Sequence, residues 1–125
     1  MTVTHTRTIS NAYLEAIEFT DCGPDDPERA AASWSEDIFT HADSAVLQFL
    51  RRLSDDTMSQ VEDAVSDGRY SWDQFGHDLW FTRNGHGVGF WDRDLGQLGD
   101  TLTDHAHAMG PVDTYVGDDD DLYTT

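Results

Sequence analysis

Between Asp43 and Leu53 the apolar residues Val46, Leu47, Phe49, Leu50 and Leu53 recur at helical spacing. Only a helix of about 3.6 residues per turn places such a set on one side. The spacing predicts a helix over 42–53, with Arg51 and Arg52 in its last turn, where cations interact favourably with the helix dipole. That apolar stripe must be covered by other elements, and three further segments offer matching faces. Ile9, Tyr13, Leu14, Ile17 and Phe19 predict a helix over 9–19, with Ser10 or Thr8 available as N-cap. Met58, Val61 and Val65 predict a more acidic helix that starts at a Ser54 or Asp55 cap and stops at Gly68. Leu95, Leu98, Leu102 and Met109, with Ala106 beside them, predict another that ends at Gly110 and Pro111.

The remaining segments read differently. DCGPDDPERAAASWSED, from Asp21 to Asp37, holds two closely spaced prolines and a Gly-Pro pair, so a long surface loop is expected, tacked down by Trp34 and Ile38. From His77 the period changes to two, with Leu79 and Phe81 alternating against Trp80 and Thr82. Asn84-Gly85 follows, then Val88, Phe90 and Trp91. Asn-Gly between β-rich runs predicts a hairpin turning at Asn84 to Gly87, with Trp80 paired across strands to Phe90 or Trp91. Val112 to Val116 predicts a third strand, the aspartates from Asp118 to Asp121 a turn, and Leu122-Tyr123 a short edge strand. The whole reads as one α+β domain of 125 residues, a small antiparallel sheet packed against about four helices. Its predicted core is Leu14, Ile17, Val46, Phe49, Leu50, Leu79, Phe81, Phe90, Leu98 and Leu102.

Charge narrows the partners. There are 25 acidic residues, 20 of them aspartate, against seven arginines and no lysine, for a formal charge of -18. Such a chain repels phosphate backbones and acidic membranes, so neither direct nucleic-acid binding nor membrane binding is expected. An ordered set of carboxylates can instead imitate the duplex phosphates, about one charge per 1.7 Å of axis, and capture proteins built to bind DNA. The same composition is also what a salty or high-GC host encodes, where screening removes most of the cost of self-repulsion. One cysteine, Cys22, excludes an internal disulfide and a multi-cysteine zinc site and fits a reducing cytoplasm. With no apolar leader and no long apolar run, a soluble cytoplasmic protein is expected.

The run GHDLWFTRNGHGVGFWDRDLGQLGDTLT, followed by VDTYVGDDDDLY, resembles a family of small acidic proteins of unassigned activity encoded by tailed bacteriophages and prophages. AYLEAIEF near the start and SEDI before the second helix are similar too. Together these cover half to two thirds of the chain, and the glycine and aromatic spacing from Gly76 to Arg93 carries most of the weight. At Asp120, where similar proteins place a glycine in the final turn, this chain departs. The resemblance implies a small intracellular phage or mobile-element product with an α+β fold, and with no activity assigned to that family no catalytic residue carries over from it.

Several clusters invite a chemical reading. His77, Asp78, Arg83, His86 and Asp92 gather bases, carboxylates and a cation on the predicted hairpin, a set suited to acid–base work or a divalent metal. Neighbours in a strand, however, point to opposite faces, so His77 and Asp78 would not share an ion, and polar residues that brace turns are the commoner case. His105 and His107, two apart on a helix, are poor joint ligands. The aspartate run lacks the spacing, glycine and closing glutamate of a calcium loop. GHGVG opens no helix and carries no lysine, unlike a phosphate-binding loop. No metal or cofactor is expected.

Three functions remain. The favoured one is a non-enzymatic protein that binds a basic host protein, with DNA mimicry against a defence or repair factor as one form of it. Its contact residues would be Asp55, Asp56, Glu62, Asp63 and Asp67 on the third helix and its flank, aided by Asp118, Asp119, Asp120 and Asp121. The others are a small hydrolase or ligand-binding protein using the His77–Asp92 cluster, and an accessory phage protein whose acidity reflects its host.

Overall fold

The computed structural model describes residues 5–125, which form an α+β fold of six helices and a small three-stranded sheet. In chain order these are α1 (Thr6–Asp21), α2 (Pro27–Ala31), β1 (Ser33–Trp34), α3 (Glu36–Arg52), α4 (Asp55–Ser66), α5 (Trp72–Arg83), a 3-10 turn (Phe90–Asp92), α6 (Gln97–Met109), β2 (Thr114–Val116) and β3 (Asp121–Thr124). No described helix is long and apolar enough to cross a membrane.

The four helices read from apolar periodicity are present. α3 begins six residues before its predicted start because Ile38, Ala42 and Ala45 continue the buried stripe. The predicted loop after α1 contains a five-residue helix with Pro27 in its first turn, where the missing N–H costs nothing, and Asp26 as N-cap. A helix this short leaves no periodic signal.

The predicted hairpin at 77–91 is not formed. Residues 72–83 are the helix α5, capped by the Ser71 hydroxyl, which accepts from the Gln74 N–H at 3.1 Å. Phe75, Gly76, Asp78, Leu79, Trp80 and Thr82 are all buried, so α5 is enclosed on several sides and shows no single stripe. Within it, Leu79 to Thr82 mimics alternation by chance. Asn84-Gly85 ends this helix instead of turning a hairpin. Gly85, at φ 68°, is left-handed; its N–H donates to the Thr82 carbonyl at 3.3 Å, and the His86 N–H donates to the Phe81 carbonyl at 3.0 Å. That pair is a Schellman cap, which needs the same left-handed glycine as a hairpin turn. The Asn84 side chain accepts from the Val112 N–H at 2.8 Å, tying the cap to the segment before β2.

The sheet is therefore mixed and lies elsewhere, in the order β1-β3-β2. β3 pairs parallel with β1 and antiparallel with β2, so Leu122-Tyr123, expected at an edge, lies in the central strand. The aspartate run makes the β2–β3 turn as expected. Asp120 adopts φ 64° there, a left-handed conformation that favours glycine.

One hydrophobic core joins α1, α3, α4, α5, α6 and β3. Of the ten predicted core residues, eight are buried; Leu14 and Phe81 are half-buried and pack against the others. At its centre Phe49 stacks on Phe90 (centroids 5.6 Å apart), and Phe75 meets both rings edge-on or tilted. Trp80 pairs with neither Phe90 nor Trp91. Its indole lies edge-on to Tyr13 and donates to the Thr20 hydroxyl at 2.9 Å, while Trp91 is exposed.

Candidate functional site

The five residues of the predicted hairpin site do not converge. Asp78, fully buried on α5, receives Arg93 through both Nε and Nη2, at 3.0 and 2.7 Å to its two oxygens, and the Tyr70 hydroxyl at 2.6 Å. Burial and this carboxylate push the Tyr70 hydroxyl well above its usual range. Arg83 points the other way, donating to the Met109 and Gly110 carbonyls at the C-terminus of α6 and to the Tyr13 hydroxyl. It thereby satisfies carbonyls that a helix end leaves free. His77 Nε2 stands 3.2 Å from Glu15, and His86 lies edge-on to Phe81. Asp92 accepts from the Gly89 N–H, closing the 3-10 turn. All five polar groups brace caps, turns and helix packing. Among the described residues no group of three or more metal-ligating side chains stands close enough to hold an ion. GHGVG, expected to join two strands, links α5 to the 3-10 turn.

A second polar cluster was not read from the sequence. Arg83 donates to the Tyr13 hydroxyl, which stands 2.9 Å from His41 Nε2. Burial and the nearby Arg83 charge hold His41 down at about 4, while burial pushes Tyr13 up to about 12 against the opposing pull of Arg83. His41 is thus neutral near pH 7 and accepts the tyrosine proton in a hydrogen bond. Unfolding frees the imidazole to titrate near its ordinary value of 6.5, so between that value and about 4 the unfolded chain binds a proton that the folded one does not. Stability present above pH 6.5 is therefore lost as the pH falls toward 4. Discounted for a half-buried ring, the loss is about 2 kcal/mol. Denaturant unfolding at a series of pH values should show this slope in the wild type and a flatter one in His41→Gln; identical slopes would exclude His41 as its source.

The acidic residues are arranged by α4. Met58, Val61 and Ala64 are buried, as is Thr57, with Val65 half-buried, so the opposite side faces solvent. Asp56, Asp63 and Asp67, seven and four residues apart, form one outward row; Asp55 and Glu62, seven apart, form a second beside it. At about 1.5 Å per residue the first row has axial gaps of about 10 and 6 Å. Duplex phosphates are closer, about 3.4 Å along the axis for each strand. Among the described residues only Asp67 of these five acids has a cation partner within 4 Å, Arg69. Across the described residues, ion pairs engage Glu15, Asp26, Asp43, Asp67 and Asp78, a small share of the 25 acids.

The run Asp118 to Asp121 contributes less than its charge suggests. Asp119 turns back on its own hairpin, accepting from the Asp121 N–H and the Tyr123 hydroxyl, which hold its carboxyl below the usual range. Asp121 opens β3, leaving Asp118 and Asp120 as the fully outward members. The run sits on a sheet that packs against α3, whereas α4 packs against α6.

Comparison of the chain with protein-family models, curated proteins and solved structures finds no match.

Proposed function

We propose that the protein is a non-enzymatic binding protein that captures a basic protein through its acidic surface, with the outward rows of α4 as the main contact. The observation that supports this most is the lack of cation partners for Asp55, Asp56, Glu62 and Asp63 within 4 Å, among the described residues. An unneutralised row leaves its field free to steer a positively charged partner. The resemblance of 76–93 to phage proteins makes a host DNA-binding protein, one of defence or repair, the partner class of choice. Because the carboxylate rows are sparser than phosphates, the attraction comes from summed charge more than from a copied ladder.

The test is to identify the partner and measure its affinity from low to moderate salt, with and without duplex DNA. Asp56→Asn, Glu62→Gln and Asp63→Asn together should weaken binding and its salt dependence without lowering the melting temperature. Duplex DNA should compete. Affinity indifferent to salt, to DNA and to the triple substitution would refute the proposal. A second reading, charge as adaptation to a salty or high-GC host, is favoured by the exposed carboxylates that every helix carries. It predicts that the same triple substitution leaves binding unchanged while stability in concentrated salt falls.

A further inference from the structure

The acids of α4 supply attraction but no shape, and shape is found on a different face. α1 and α5 run in the same direction: Gly76 meets Ile9 and Ala12, His77 meets Glu15, and Phe81 meets Phe19. Near their C-terminal ends lies an open groove of about 480 Å³ lined by Glu15, Ala16, Phe19, His77, Phe81 and Val88. Its apolar rim is exposed to an unusual degree, Phe19 at 79% and Val88 at 43%, although Phe19 is already steadied by an edge-on contact with Phe81. A phenylalanine left this open at a concave apolar site offers apolar surface to another molecule.

Charge decides what kind. Glu15 and Glu18 precede Phe19 on α1, and all three also line a second hollow, with Cys22, Gly23 and Pro24. Among the described residues the only basic side chain lining either hollow is His77, already beside Glu15. Two copies of the chain meeting here would bring Glu15 and Glu18 against their own counterparts, each copy carrying a charge of -18. The same carboxylates suit a cation placed one helical turn from an apolar anchor. We propose that this groove docks a basic amphipathic helix of a partner protein. An apolar side chain of that helix would enter between Phe19, Phe81 and Val88, and its lysines or arginines would reach Glu15 and Glu18. The inference rests on the proposed capture of a basic protein and adds what the partner must present: an apolar stripe at spacings of three and four residues, bordered by cations.

The probe is a synthetic helical peptide of about 18 residues with leucines along one face and lysines and arginines elsewhere, compared with a scramble of equal charge that has no apolar face. Calorimetric titration of the full chain should give about tenfold tighter binding for the helical peptide. Phe19→Ser and Val88→Ser, both at exposed positions, should each erase most of that advantage while leaving the melting temperature in place. The triple amide variant of α4 should weaken both peptides alike. Equal affinity for the two peptides, or a helical advantage that survives both serine variants, overturns the groove while leaving the acidic-surface reading intact. Self-association abolished by Phe19→Ser would make a second copy the occupant and overturn it as well. Failure of both peptides to bind at low salt overturns both proposals.

Discussion

Replacing Asp78 by alanine is expected to lower the unfolding free energy by about 3 to 4 kcal/mol, a large part of the stability of a domain this size. The carboxylate has no exposure and accepts from two nitrogens of Arg93 and from Tyr70, whose side chain is itself buried. Its removal strands a guanidinium and a hydroxyl without partners, and the cost of their desolvation is no longer offset. Arg93 keeps a quarter of its side chain in contact with solvent, which holds the figure toward the lower end for a broken buried pair. Because the cost lies in the stranded cation, Asp78→Leu combined with Arg93→Met should be less destabilising than Asp78→Leu alone. Urea unfolding of the single and double variants measures this coupling directly. Additive effects would mean that the pair contributes nothing through its contact.

Gly76→Ala is the second large effect. A Cβ at this position would lie 2.3 Å from the Ile9 carbonyl oxygen and 2.7 Å from the Ala12 Cβ, so α1 and α5 must separate to admit it. Helix propensity alone would favour alanine by about 1 kcal/mol. Two close contacts with the backbone and Cβ of α1 reverse the sign, for a net loss of about 2 kcal/mol, and valine should leave little folded protein. Gly87→Ala is the control: no atom lies within 4 Å of its added methyl, and its urea midpoint should stay near that of the wild type. Similar shifts for Gly76→Ala and Gly87→Ala would show that α1 and α5 do not pack as closely as described.

What the sequence made legible follows the same physics. α1, α3, α4 and α6 each bury one side, so their apolar residues repeat at helical spacing, and eight of ten predicted core residues are buried. α5 was misread because it lies within the core and lacks a one-sided pattern, while Asn84-Gly85 has two uses that share one backbone conformation. The Ser71 cap and Phe75, just upstream of the misassigned strand, carried the helical signal. The hairpin of β2 and β3 across the aspartate turn was legible, whereas the parallel pairing of β3 with Ser33-Trp34 was not, because the two segments lie far apart in sequence and a two-residue strand leaves no pattern. At the candidate sites, total charge and the outward face of α4 were visible. Which acids have partners was not, since Asp78 and Arg93 meet only through the fold. The groove was hidden for the same reason, being assembled from α1, α5 and the segment around Val88.

The central claim, that unpaired carboxylates on α4 draw in a basic protein, is tested most directly by the association rate constant with that partner, followed by stopped-flow mixing across a series of salt concentrations. Steered association is fast at low salt and slows steeply as the Debye length shrinks, from about 30 Å at 0.01 M to about 8 Å at physiological ionic strength. The wild type should show that steep fall, and the Asp56→Asn, Glu62→Gln, Asp63→Asn variant a slower low-salt rate and a shallower one. A rate that is flat across salt and equal in the two proteins would contradict the account.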